Sequence, residues 1–370
     1  MKKKIDLSFK ILTGFFLFFV SGCDNSGDEF DRAQDIQNLR EALVTNIFDA
    51  GINPLSIAYQ QKATALKESL NELSESPNLE YLELSQNRWM ELLEYSKQLE
   101  VFNTIMRLEG FIPVELMVYF TDVSEIEESI SGSDIIDIDF IQSKNFTQKG
   151  IFALEYFLFS PEGNQTVLER ILEPIRGQRR LSYALYSAQD LEDKSQEIID
   201  FWNNSETDFK ENLQNDLDGS INLLVNSLND HLIEILAKKL DLPLGYRTGG
   251  VLRLDLVEVK YSNQSLFILK QNLEAIRNCF SGDFSLSQNQ IGFDDYLKAI
   301  DEQDLNNAII SSIEKCNSSL ENLSNNLVEE IENSPAQVNE LRNNFQQLLV
   351  LLRVDLPSVL DVSILISDVD

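Results

Sequence analysis

Apolar residues recur at three- and four-residue steps along most of the chain, and that spacing leaves few folds open to it. One stripe runs through Ile36, Leu39, Leu43 and Ile47, and the next through Tyr59, Ala63, Leu66, Leu70 and Leu73. Leu181, Leu185, Ala188 and Leu191 form a third, and Leu266, Leu269, Leu273, Ile276 and Phe280 a fourth. The longest links Ile309, Ile313, Cys316, Leu320, Leu323 and Leu327, and Val338, Leu341, Phe345, Leu348 and Leu352 close the series. A helix turns once in roughly 3.6 residues, so each set lies on one face. Every stripe is one side chain wide and needs neighbouring helices to cover it, which predicts an all-α fold of packed bundles. The prolines fall mostly between stripes, where they end or begin helices.

A chain of 370 residues exceeds what one core usually serves, so two helical bundles are expected. Asn203-Asn204-Ser205 is the best candidate boundary, giving bundles at roughly 30–203 and 204–370. Two stretches break the helical rule: Leu252 to Leu256 alternates apolar and polar side chains and Val362 to Ile366 does so less cleanly, so a short β-ribbon is compatible with the pattern but not required by it.

The first residues read as an export signal. Lys2, Lys3, Lys4 and Lys10 precede an apolar run from Ile11 to Val20, which is too short to span a bilayer. Val20-Ser21-Gly22-Cys23 resembles the bacterial lipobox, in which the cysteine is acylated and becomes the first mature residue. Residues 1–22 are then a lipoprotein signal peptide, Cys23 an anchor and 23–29 a polar tether. Acyl chains contribute about 0.8 kcal/mol per buried CH2, so several of them would hold the body at the cell envelope, on the periplasmic or surface side.

The net charge is −31, and loss of residues 1–22 would remove more lysine than aspartate. Nucleic acid is excluded as a partner, because the densest basic stretch, Arg176 to Arg180, is isolated in an acidic chain. Anionic lipid is disfavoured for the same reason, which leaves the acyl anchor as the membrane contact. Cys279 and Cys316 could form one disulfide in an oxidising compartment but are too few for a disulfide scaffold, and Cys316 sits on an apolar stripe, which favours a buried free thiol. His231 is the sole histidine, so two histidines and a glutamate on one helix cannot be assembled. It shares a face with Leu224, Leu228 and Ile235 and reads as a packed residue. Asp294 and Asp295 read as a solvated pair at a helix start. The chain has no nucleophile elbow, phosphate-cradling loop or dinucleotide fingerprint.

The segment from Gly150 to Phe159 is unusual, being apolar all round as a helix except at Glu155. Such a helix is buried, and its carboxylate needs a partner or becomes neutral. Gly150-Ile151-Phe152-Ala153-Leu154-Glu155 resembles the G-x-H-x-x-E signature of the imelysin-like family, with Phe152 where the histidine stands. Ala153-Leu154-Glu155-Tyr156 and Leu158-Phe159 are similar to a histidine-free form, G-L-P-A-L-E-Y-L-L-F, found in a lipoprotein subgroup. Further similarity lies in Leu242 to Gly245, Tyr261 to Ser265, Gly292 to Leu297 and Leu351 to Asp370.

The resemblance implies two helical bundles meeting at a cleft that contains Gly150, Phe152 and Glu155. Arg179, Arg180 and Tyr183 follow the signature helix and are candidates to meet Glu155, a solvated helix start being the alternative. Ser262 and Ser265 lie at an expected helix start, where serine either caps the backbone or faces the cleft. An imidazole and a carboxylate three residues apart share a helix face and could hold one metal. Phenylalanine offers no lone pair, which speaks against a metal here and against catalysis, although iron or another divalent ion is the cofactor class the resemblance suggests. The leading expectation is a non-catalytic envelope lipoprotein associated with iron or haem acquisition, with envelope iron-uptake proteins as partners. The alternatives are a metal-dependent peptidase and a structural or adhesive surface lipoprotein.

Overall fold

Tyr59, Ala63, Leu66, Leu70 and Leu73 are all buried, as are Val338, Leu341, Phe345, Leu348 and Leu352, so these stripes face the core as their spacing requires. The computed structural model describes residues 26–365 apart from 215, 286–289 and 325. Cys23 and the segment before it lie outside the described residues.

Helix Asn53–Glu75 packs against both Leu79–Leu99 and Arg176–Glu211, and the short helices Gly150–Leu158 and Asn164–Leu172 bridge those two and close this group. Ser265–Ser281, Gln303–Glu321 and Pro335–Val350 form a second group, with Ser220–Glu234 against its C-terminal end. The groups meet where Ser265–Ser281 packs on Leu79–Leu99, and their buried side chains form one continuous core. The fold is all-α, and no strand occurs among the described residues.

The structure adds detail at three places the sequence singled out. The Asn203–Ser205 stretch lies inside an unbroken helix, Arg176–Glu211, and the helical path first breaks after Glu211. Asn203 and Asn204 face solvent, while Trp202 and Phe209 stay buried and pack on Phe48 with ring centroids 6.1 and 5.9 Å away. Tertiary packing of the aromatic residues thus carries the helix past weak formers. The stripe ending at Leu327 belongs to two helices. The first ends at Glu321, and Asn326 caps the second by accepting from the Glu329 amide at 3.0 Å.

The ribbon does not form. Leu254–Leu256 is a single 3-10 turn, and residues 362–365 form no strand. Asparagine side chains of the Ser220–Glu234 helix take the place of a neighbouring strand. Asn222 accepts from the Ser363 amide at 2.9 Å, and Asn226 donates to Ser363 O at 2.9 Å and accepts from the Leu365 amide at 2.8 Å. These amides supply the donors and acceptors that a ladder would otherwise provide.

Candidate functional site

The signature helix, Gly150–Leu158, begins with Gly150 at φ +77°, a left-handed conformation that glycine adopts without strain. A Cβ there would meet nothing within 4 Å, so backbone conformation rather than crowding favours glycine. The helix is buried almost all round between Leu79–Leu99 and Arg176–Glu211, and Trp89 Nε1 donates to Ile151 O at 2.7 Å. This is the packing its apolar sequence requires, and it carries Glu155 inside, where only 3% of the residue is exposed.

Glu155 Oε1 accepts from both the amide and the hydroxyl of Ser262, each at 2.8 Å. Burial pushes its pKa up to about 7, against the lowering effect of these bonds and of the Tyr261 amide, while Glu258 adds repulsion. Glu155 and Phe152 line a cleft of about 250 Å³ whose other walls include Tyr119, Phe120, Val257, Val259, Lys260 and Tyr261.

Phe152 also touches a buried charge cluster. Its ring centroid lies 4.7 Å from Lys97 Nζ. Lys97 pairs with Glu100 and Glu258, and Lys239 lies 2.9 Å from Glu100 and 3.1 Å from Glu258. Asn272 joins them, accepting from Lys239 at 2.8 Å and donating to Glu100 Oε2 at 2.9 Å. All five side chains are buried. Burial raises the Glu100 pKa, but Lys239 and Lys97 outweigh it and hold the carboxyl down at about 2. Lys239 comes from a π-helical stretch, Ile235–Asp241, while its neighbour Lys238 pairs with Glu234 at 2.8 Å. His231 lies within reach of the same charges, and burial, reinforced by Lys239 and Lys97, pushes its pKa down to about 3. It is a neutral packed residue.

The remaining candidates go elsewhere. Arg179 donates to the carbonyls of Ser129, Ile130 and Asp134 at 2.7–2.8 Å, closing the C-terminal end of the Val123–Ser131 helix. Arg180 grips Glu127 with both terminal nitrogens, and Tyr156 donates to the same carboxylate at 2.6 Å. Tyr183 donates to Gln148 O at 2.9 Å. Their bonds therefore go to partners other than Glu155. Ser265 accepts from the Leu327 amide at 2.9 Å and fastens two helices together. Only Ser262, of the candidates outside the signature helix, meets Glu155. Asp294 and Asp295 begin a helix and pair with Lys298 at 2.8 and 3.1 Å. Cys279 and Cys316 are buried free thiols.

A metal does not fit the signature residues as they stand. Phe152 has no lone pair, Glu155 Oε1 is committed to Ser262, and an ammonium already lies against the Phe152 ring. No group of three or more His, Cys, Asp or Glu suited to a metal occurs among the described residues.

The chain resembles two solved structures in fold. An iron-regulated protein A precursor, as described, from Parabacteroides distasonis matches with a TM-score of 0.70 and 16% identity over 87% of this chain and 95% of that one. An imelysin-like protein from Psychrobacter arcticum matches with a TM-score of 0.67 and 12% identity over 89% of this chain and 98% of that one. No curated protein matches the chain by sequence. Residues 57–354 match the peptidase family model described as Imelysin, and with that much of its length covered the chain belongs to the imelysin family.

Proposed function

We propose that this chain is a non-catalytic imelysin-family protein of the cell envelope, anchored through acylated Cys23, which binds a small ligand in the cleft above Phe152 and Glu155 and serves iron acquisition. The observation that carries the binding role is a buried carboxyl in an aromatic-walled cleft, with a phenylalanine where a metal-binding side chain would have to stand. Cleft size favours a small ligand. About 250 Å³ falls below the roughly 300–1,000 Å³ typical of drug-sized ligands, so a haem macrocycle is a poor occupant of the cleft in this form. The iron association rests on the name of the Parabacteroides protein of the same fold, and the anchor on the lipobox-like residues. No helix among the described residues is long and apolar enough to cross a membrane.

A peptidase is the second reading, favoured by the family's classification and by a carboxyl whose pKa of about 7 suits general acid–base work. Native mass spectrometry and metal analysis of protein from its own host, beside Glu155→Leu, separate the two. A small molecule retained by the parent and lost in the folded variant is the expected result. Stoichiometric metal, together with casein cleavage abolished by Glu155→Ala, would replace the proposal with the peptidase reading.

A further inference from the structure

The segment 255–262 supplies Leu256, Val257, Val259, Lys260 and Tyr261 to the cleft, so the shape of the cleft depends on where this segment lies. Its backbone bonds are local: Leu256 donates to Arg253 O at 2.9 Å, Val257 to Leu254 O at 3.2 Å, and Gln264 to Val259 O at 3.3 Å. Val259 has φ +47° and Asn263 φ +58°. A β-branched residue in the left-handed region is disfavoured on its own, so the closed shape is imposed by contacts rather than by local preference.

Two carboxylates provide such contacts, one at each side of Val259. Glu155, on the rigid signature helix, takes the amide and hydroxyl of Ser262. Glu258, on the segment itself, points inward to Lys97 and Lys239. Beyond Ser262, the Ser265–Ser281 helix is fixed by the bond from the Leu327 amide to Ser265. Val257, Glu258 and Val259 are buried, so the part able to open without unfolding its neighbours is the half-buried stretch Lys260, Tyr261 and Ser262.

We propose that residues 260–262 form a movable wall of the cleft, latched shut by Glu155 through Ser262 and hinged on the buried stretch 257–259, which Glu258 fastens to Lys97 and Lys239, and released at Ser262 to admit a ligand. Opening at the Ser262 latch swings Tyr261 and Lys260 away and enlarges a cleft that is small when closed. The Glu258 latch, held by two ammonium groups, is the stronger and keeps the wall attached. This motion does not depend on the ligand's identity or on any metal.

Native-state hydrogen exchange on the ligand-free mature protein tests the wall directly. Amides of Lys260, Tyr261 and Ser262 should exchange through one shared opening, well before the helices Gly150–Leu158 and Ser265–Ser281. Ser262→Ala removes the hydroxyl bond to Glu155 but leaves the amide bond, and should speed exchange of the wall about tenfold while both helices keep their protection. Ser265→Ala, whose hydroxyl lies outside the wall, should leave the wall's rates unchanged. The proposal is overturned if the wall exchanges only by global unfolding, if Ser262→Ala leaves it unchanged or speeds the helices equally, or if Ser265→Ala has the same effect as Ser262→Ala.

Discussion

Lys97→Met would take one positive charge out of the buried cluster while keeping most of the side chain's volume. Lys97 is fully buried and pairs with both Glu100 and Glu258, so its loss leaves two carboxylates sharing Lys239. Removing one member of a buried ion pair commonly costs about 3–5 kcal/mol, because a charge is left uncompensated rather than because the pair itself is strong. Loss of the contact with the Phe152 ring adds up to about 2 kcal/mol, and the well-packed methionine returns part of both. We therefore expect a net loss of about 3–5 kcal/mol, read as a lower urea midpoint by circular dichroism and tryptophan fluorescence. The decisive measurement is the double variant Lys97→Met with Glu258→Gln, which returns the cluster to neutrality. It should be more stable than the sum of the single losses implies, by about 1–3 kcal/mol. A single-variant loss below about 1 kcal/mol, or strict additivity, would refute the view that charge balance holds this cluster together. Lys298→Met serves as the control, since a partly exposed pair of this kind is worth about 0–1 kcal/mol.

Two further outcomes follow from single residues. The Glu155 carboxyl is raised from 4.5 to about 7, so its contribution to stability is complete below about 4.5 and is lost as pH rises through about 7. Relative to Glu155→Gln, the parent should lose up to a few kcal/mol across that window in denaturant titrations; a pH-independent difference would contradict the assigned burial. Glu100 acts in the opposite sense, losing its contribution as pH falls from 4.5 through about 2, but this is common to both proteins and cancels. At the N-terminus, Cys23→Ala should move the body from the membrane fraction to the soluble fraction, and its retention in membranes would rule out an acyl anchor.

The helical fold is legible because burial is written into the sequence with the helix's own period. Tyr59 to Leu73 and Val338 to Leu352 needed nothing more than their spacing. The Glu155 helix is legible for a related reason, since an apolar surface on every side leaves no face for solvent. The charge cluster is not legible in the same way. Lys97, Glu100, Lys239 and Glu258 look like ordinary surface charges one at a time, and their compensation is set by chain segments up to 161 residues apart. One signal was present: Trp89, Leu93, Lys97 and Glu100 step by four, four and three, which places the charged pair on the buried stripe. The partners of Arg179 and Arg180 are not legible for the converse reason. Position just after the signature helix suggested Glu155, whereas the direction of their own helix turns them toward carbonyls at 129–134 and toward Glu127.

The signature residues of this chain each have a structural task that can be stated without invoking a reaction. Gly150 permits the left-handed start of a helix that must be buried at once. Glu155 gathers the Ser262 amide and hydroxyl and so sets one wall of the cleft. Phe152 lines that cleft and places its ring against the Lys97 ammonium. Position 152 is thus next to the Lys97 ammonium, which is paired with Glu100 and Glu258. A second cation at the same place would meet Coulomb repulsion that the low-dielectric interior strengthens. The electrostatics around Phe152 therefore favour an apolar ring over a metal ligand, so the replacement is consistent with its surroundings. Restoring a lone pair at position 152 alone would not restore a metal site while the Lys97 side chain lies beside it.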